Sequence, residues 1–330
     1  MTPSPAPARR RARPRPTAKR PTGEPIGSYP LAVGSKAHPR LGLGLWALGR
    51  WSPEDEARTK ATVARAYELG VRWFDTAEVY GAGRSERILG DVLRRAIGGE
   101  EALVVTKLSW EHLRASQVRA SLVRSLDRLG RGRVDLYLVH APDRRVPIAE
   151  TMRALEELWH EGRIGAIGVS NFSLEEMQEA AASLRETRLA VNQVRYNLFD
   201  REDAEPILPY CREEKIVVEA YTPLARGLLQ GRYLDGRRPP AEVRQFAQDL
   251  FGASRLPEIV RRAKALRDLA ARHEVPLAAL AFHWLARQGA APVFGASRPE
   301  QVEANLTAWA HRPPDDVLDE ADALARGERA

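Results

Sequence analysis

Four side chains able to move or hold a proton stand just beyond compact apolar runs: Asp75 and Tyr80 after Val71–Phe74, Lys107 after Leu103–Thr106, and His140 after Val134–Val139. A lysine at the end of a buried strand is costly unless paired, and Asp75 is the nearest partner in the pattern. Positive charge beside a phenol favours phenolate and draws the tyrosine pKa down from its free value of about 10, which would make Tyr80 a usable acid. Hydride delivered to a carbonyl carbon leaves negative charge on the oxygen, so that oxygen needs a proton donor within hydrogen-bond reach. Tyr80 fits that donor, and His140 fits a second hydrogen-bond donor that holds the same oxygen. Alcohol oxidation is the same chemistry run backwards. Taken singly, each of the four also reads as an ordinary residue: a helix cap, a core aromatic, a solvated lysine, a satisfied core histidine.

Their joint meaning depends on what positions them. Further apolar runs are Leu41–Gly44, Ala166–Val169, Ala190–Val194, Ile216–Ala220 and Pro292–Phe294, which brings the total to eight. Between them lie amphipathic stretches with plausible helix caps: Ser52 before Pro53, Ser116 before Gln117–Leu129, and Ser173 before Leu174–Leu184. Short strands alternating with helices imply parallel pairing with right-handed crossovers, and eight such units close a (β/α)8 TIM barrel, an α/β fold. A short polar hairpin around Gly34-Ser35-Lys36 precedes the first unit. The interval from Ala220 to Pro292 is too long for one unit. It reads as an irregular loop, Ala225–Ser254, over one barrel face, then helices Pro257–His273 and Pro276–Arg287. A doubly wound open sheet is the competing fold, but Gly42, Gly44 and Gly49 lack the spacing of its phosphate-binding turn. In a parallel barrel all strand ends meet at one rim, about 4.8 Å apart per neighbour, so Ser170-Asn171, Gln193, Tyr221 and Gly295 join the first four there.

Composition narrows the classes. The formal charge of +7 suggests nucleic acid until it is located. Residues 1–26 hold Arg9, Arg10, Arg11, Arg13, Arg15, Lys19 and Arg20 against Glu24, a net +6, which leaves +1 for the rest. A near-neutral body offers no broad phosphate-binding face. This Pro/Arg-rich tail is expected to be disordered and lacks a secretory h-region, so the folded unit spans 27–330 as one barrel domain. An organelle presequence or a nucleic-acid-binding arm are minor readings of the tail. No apolar run reaches the roughly 18–20 residues that cross a bilayer. With Cys211 the single cysteine, neither a disulfide nor a cysteine metal cluster can form within the chain, and no histidine pair has metal-ligand spacing. A cytoplasmic protein without metal is the expectation; oligomeric state is not readable.

The residues quoted so far sit in longer segments. Gly70-Val71-Arg72-Trp73-Phe74-Asp75-Thr76-Ala77-Glu78-Val79-Tyr80-Gly81 with Ser85-Glu86 closely resembles the signature of aldo/keto reductases. So do Val104-Val105-Thr106-Lys107, Leu138-Val139-His140-Ala141-Pro142-Asp143, Ile167-Gly168-Val169-Ser170-Asn171-Phe172, Gln193-Val194-Arg195-Tyr196-Asn197, Tyr221-Thr222-Pro223-Leu224, and Gly295-Ala296-Ser297-Arg298 with Gln301 and Asn305. The resemblance spans residues 29–310 in order. It implies a catalytic tetrad of Asp75, Tyr80, Lys107 and His140, with Ser170, Asn171 and Gln193 on the nicotinamide carboxamide and Tyr221 stacked on the ring. It also implies Thr222, Leu224 and Arg226 along the pyrophosphate, Ser297 and Arg298 near the adenosine 2′-phosphate, Gln301 and Asn305 at the adenine, and Gly295 among the cofactor-binding residues. A guanidinium suits a phosphate dianion, so NADPH is expected over NADH. Trp46 and Trp110 are expected in the substrate pocket, equally readable as packing residues. Leu45, Thr222 and Phe294 depart from the usual residues of the pattern without touching the tetrad. The expected function is NADPH-dependent reduction of a small-molecule aldehyde or ketone. The alternative is a cofactor-binding regulatory module similar to potassium-channel β-subunits, which share the barrel.

Overall fold

The computed structural model describes residues 28–33, 36–46, 52–96, 99–237, 239, 250, 252 and 254–328. The basic tail, Gly34 and Ser35, and most of 238–253 lie outside these residues. Strands β1 (Ser28–Val33) and β2 (Lys36–Pro39) pair antiparallel as the expected hairpin. The next eight strands close a parallel barrel: β3 (Gly42–Gly44), β4 (Trp73–Asp75), β5 (Leu103–Leu108), β6 (Val134–Val139), β7 (Ile164–Ser170), β8 (Leu189–Arg195), β9 (Val217–Tyr221) and β10 (Ala290–Gly295), with β10 bonded back to β3. Buried on both faces along their whole length, β5, β6 and β7 are mostly apolar rather than alternating, with Lys107 and Asp135 the charged exceptions.

The helices form the outer ring. Helix α1 (Pro53–Glu68) opens with a capping box, Ser52 and Asp55 exchanging side-chain bonds with each other's backbone N–H. Helices α2 (Arg84–Arg95), α3 (Ala115–Leu129), α4 (Ile148–His160), α5 (Leu174–Ser183) and α6 (Leu208–Glu213) follow successive strands. Helix α5 repeats the capping box with Ser173 and Glu176. Ser116 does not cap α3. The helix starts at Ala115, two residues before the expected Gln117, and the orphan N–H of Ala115 is taken by the Glu150 carboxylate of α4. Helices α7 (Leu256–Arg272) and α8 (Leu277–Arg287) precede β10, and α9 (Pro299–Ala310) and α10 (Asp315–Arg326) follow it.

Inside the barrel a compact apolar plug holds Trp73, Leu103, Val105, Leu136, Leu138, Val191 and Val217. A Cβ on Gly42 would lie 2.3 Å from the Trp73 ring, so only glycine lets this indole fill the barrel floor. The β1–β2 hairpin closes the floor from below. His38 of β2 meets Trp73 edge-on at 4.5 Å, and Lys36 reaches Asp135 and the carbonyls of Glu100 and Ala102.

Candidate active site

Side chains two apart on a strand share a face, and this periodicity builds the site. Trp73, Val105, Val191 and Val217 point into the barrel. Asp75, Lys107, Gln193 and Glu219, each two residues further on, form the next layer towards the C-terminal rim. Register pairs Gln193 directly with Glu219, whereas Asp75 pairs with Val105, so the long Lys107 side chain is what brings its ammonium back to Asp75.

The Lys107 ammonium is fully buried and donates to both Asp75 oxygens at 2.7 Å, to the Thr76 carbonyl at 3.0 Å and to the Tyr80 hydroxyl at 3.3 Å. The expected Asp75–Lys107 pairing is therefore present in the geometry. Burial works against the ammonium, but Asp75 and Tyr80 together outweigh it and the lysine pKa rises. Burial raises the Asp75 carboxyl, with Lys107 pulling the other way. Direct contact to both oxygens keeps the pair ionic.

Tyr80 differs from expectation. Its pKa is raised, because burial outweighs the downward pull of Lys107. The phenol consequently keeps its proton in the resting site, while the ammonium that donates to its oxygen favours the charge left once that proton goes. His140 follows β6, its N–H bonded to the Leu108 carbonyl and its ring edge-on to Tyr80 at 5.6 Å and to Trp110 at 5.7 Å. Burial first, and Lys107 second, lower its pKa to about 3, so the imidazole is neutral at ordinary pH. Its Nδ1 is buried without a hydrogen-bond partner. A buried N–H without an acceptor is the costlier tautomer, so Nε2 carries the hydrogen that the ring can donate.

The rim from β7 to β9 is tied together by amides. Asn171, in left-handed conformation at φ 60°, donates to the His140 carbonyl at 3.0 Å and to Ser170 Oγ at 3.1 Å, and its Oδ1 accepts from the Tyr221 hydroxyl at 2.9 Å. Ser170 donates to the Gln193 carbonyl at 2.8 Å. After β9, Thr222, Ala225 and Arg226 all take positive φ, a sharply curled backbone braced by Asn197, which donates to the Thr222 carbonyl. The Arg226 guanidinium lies 5.1 Å from the Trp46 ring centre.

These groups surround one cavity of about 840 Å³. Of the sequence-derived candidates it is lined by Trp46, Asp75, Tyr80, Trp110, His140, Ser170, Asn171, Gln193, Tyr221, Thr222, Leu224, Arg226, Gly295, Ser297 and Gln301. Lys107 lies beneath the lining. Arg298 stands outside it, its side chain 63% exposed and 3.9 Å from Glu300. Asn305 is buried behind, accepting from Gln230 at 3.0 Å. Gln301 caps Ser297 through its N–H and Oγ. Two side-chain atoms along this arc, Thr222 Oγ1 and Asn305 Nδ2, are buried without partners. The Thr222 orphan at the cavity wall, with the Asn305 orphan behind it, fits an elongated polar ligand with acceptor and donor groups.

Sequence reasoning missed several residues that shape the site. Glu78 accepts from the Ser109 N–H at 2.6 Å and meets His112 at 3.0 Å, anchoring the segment that presents Trp110. Asn197 with Asp200 braces the turn after β9. Glu219 accepts from Gln193 and is itself held by His38. A carboxylate inside an otherwise apolar strand was the available signal for Glu219. Among the described residues no cluster of His, Cys, Asp or Glu could hold a metal, and no helix is long and apolar enough to cross a membrane.

A closed parallel barrel with a polar pocket at the C-terminal ends of its strands defines a barrel enzyme with its site on the catalytic face. The family model for the aldo/keto reductase family matches residues 40–326. The chain is 35% identical over 285 residues to the aldo-keto reductase YhdN of Bacillus subtilis, covering 82% of this chain and 85% of that one. It is 31% identical over 300 residues to the NADH-specific methylglyoxal reductase of Escherichia coli, covering 82% and 89%. An aldo/keto reductase from Klebsiella pneumoniae, solved with NADP and acetate, superposes with a TM-score of 0.70 at 28% identity, covering 88% and 92%. This chain belongs to the aldo/keto reductase family. It is an NAD(P)H-dependent oxidoreductase that acts on carbonyl compounds.

Proposed function

We propose that the protein reduces a small aldehyde or ketone with NADPH, Tyr80 giving the proton, in the cytoplasm and without a metal. The observation that carries this reading is the Asp75–Lys107–Tyr80 chain, which places a protonated phenol at the cavity wall on a buried ammonium. Ser170, Asn171 and Gln193 would hold the carboxamide and Tyr221 the ring face. Thr222, Leu224 and Arg226 would hold the pyrophosphate, and Ser297 and Arg298 the 2′-phosphate, with Gly295 among the cofactor-binding residues. Gln301 and Asn305 would meet the adenine. The orphaned Thr222 Oγ1 and Asn305 Nδ2 fit that assignment. Bound there, reduced nicotinamide supplies a hydride to the carbonyl carbon.

The chain's own groups do the rest. Nε2 of neutral His140 and the Tyr80 hydroxyl both donate to the substrate oxygen, which orients the carbonyl before reaction. As negative charge grows on that oxygen, Tyr80 passes its proton across. Lys107 stabilises the charge left on the phenol, and Asp75 balances Lys107. Trp46 and Trp110, 49% and 42% exposed at the pocket mouth, offer apolar walls for the substrate chain.

Steady-state oxidation of NADPH and of NADH with a panel of aldehydes tests the function. NADPH is expected to be preferred, and Arg298→Ala to raise its KM by roughly ten- to hundredfold while leaving NADH unchanged, since charge-assisted bonds contribute roughly 1.5–3 kcal/mol. No turnover with any carbonyl would refute the proposal, and equal loss for both cofactors would refute the role of Arg298.

A further inference from the structure

Below the tetrad lies a second buried polar pair that the mechanism does not use. Glu219 and His38 are both fully buried, with His38 Nε2 2.8 Å from Glu219 Oε1 and His38 Nδ1 2.7 Å from the Pro39 carbonyl oxygen. A carbonyl oxygen only accepts, so Nδ1 carries a hydrogen and Nε2 faces the carboxyl. The pair is therefore fixed in orientation. The other oxygen of Glu219, Oε2, accepts from Gln193 Nε2 at 2.6 Å.

That same nitrogen donates to Asp75 Oδ2 at 2.8 Å. Both amide hydrogens of Gln193 are thus consumed, one by each acid. The flipped amide would set its carbonyl oxygen against acceptors on two sides, so the network admits one orientation. Gln193 lines the cavity, and Oε1 is the amide atom left to serve it.

We propose that Glu219, held by His38, is a positioning residue that fixes the Gln193 amide with its oxygen towards the cavity, so that the site reads the cofactor carboxamide as a hydrogen-bond donor. This rests on the assignment of the nicotinamide to this rim. Asp75 is shared with the catalytic chain, so it orients Gln193 from one side only; Glu219 supplies the second anchor and has no other partner in the mechanism. A carboxamide offers an N–H2 to Gln193 Oε1. An analogue with a methyl group in place of that N–H2 offers nothing, and the oxygen loses its partner.

Calorimetric titration of the full chain with three oxidised dinucleotides tests this without turnover: NADP+, its thionicotinamide analogue, which keeps the N–H2, and its 3-acetylpyridine analogue, which replaces it by methyl. For the wild type the thio analogue should bind within about twofold of NADP+ and the acetyl analogue about tenfold weaker, the yield of one good hydrogen bond. Glu219→Gln can still accept from Gln193 while donating to His38 Nε2, so it should preserve that ratio. Glu219→Leu should weaken NADP+ by about tenfold and leave the acetyl analogue unchanged, collapsing the ratio to about one. A merely structural role would weaken all three ligands alike and keep the ratio, which would overturn the proposal, as would a Glu219→Gln variant that loses discrimination. If the leucine variant does not fold, Glu219→Ala takes its place: a collapsed ratio supports the proposal and a preserved one overturns it. Failure of the wild type to bind any of the three would instead overturn the underlying cofactor assignment, and the inference with it.

Discussion

Replacing Lys107 by methionine keeps most of its stem and deletes the ammonium. Asp75, with a side chain only 5% exposed, would then keep Gln193 Nε2 as its one side-chain donor and would face Glu219 across that amide. Breaking a buried pair in this way costs about 3–5 kcal/mol, because the surviving charge is stranded rather than because the pair itself is worth that much. For a barrel of this size the loss corresponds to a fall in Tm on the order of 5–15 °C. The penalty depends on pH. Burial and Glu219 already push the Asp75 pKa up while Lys107 pulls it down, so removing Lys107 raises it further. An acid whose folded pKa exceeds its unfolded one stabilises the fold below the unfolded pKa, and that stability is lost as pH rises through the folded pKa. The Tm gap between wild type and Lys107→Met should therefore be wider near about pH 8 than near about pH 5. Differential scanning calorimetry across that range measures it. A gap under about 2 °C at neutral pH, or one that grows on acidification, would refute the reasoning.

Neutral His140, with its pKa lowered to about 3, should contribute no inflection to kcat/KM between about pH 5 and 8, so wild type and His140→Gln should give profiles of the same shape at different heights. A wild-type inflection in that window that vanishes in the variant would count against it. Protonating this buried ring also opposes folding, so its contribution to stability is present above its unfolded pKa and is lost as pH falls towards the lowered one; His140→Gln should lose less Tm on acidification than wild type. Away from the cavity, Glu86 is fully buried between Thr106 Oγ1 and the Arg128 guanidinium. Arg128→Met should lower the urea midpoint by an amount equivalent to about 3–5 kcal/mol while folded enzyme keeps its kcat; an unchanged midpoint would contradict the pairing.

The barrel was legible because parallel strands covered on both faces leave unbroken apolar runs, and because polar residues following them had to meet at one rim. Boundaries were less so. The expected Val71–Phe74 run is a strand at Trp73–Asp75, and the start of α3 depends on Glu150, a residue of the next helix that local capping rules do not see. The Asp75–Lys107 contact could be inferred from the cost of a buried charge. The upward shift of Tyr80 could not, since it is the balance between burial and an attractive neighbour, and burial is a property of the folded cavity. Glu219 was hidden inside an apolar run, with its partner His38 separated from it by 181 positions. Only closure of the barrel floor by the hairpin brings that pair together.

Proton delivery from the Tyr80 hydroxyl is the step on which the proposed chemistry depends. In Tyr80→Phe, Lys107 retains Asp75 and the Thr76 carbonyl, so the fold and the cavity should persist. Single-turnover reduction of an aldehyde by bound NADPH should slow by about 10²–10⁴, with NADPH affinity within about twofold of wild type. A phenylalanine variant that keeps more than about a tenth of the wild-type rate would show that the proton comes from elsewhere.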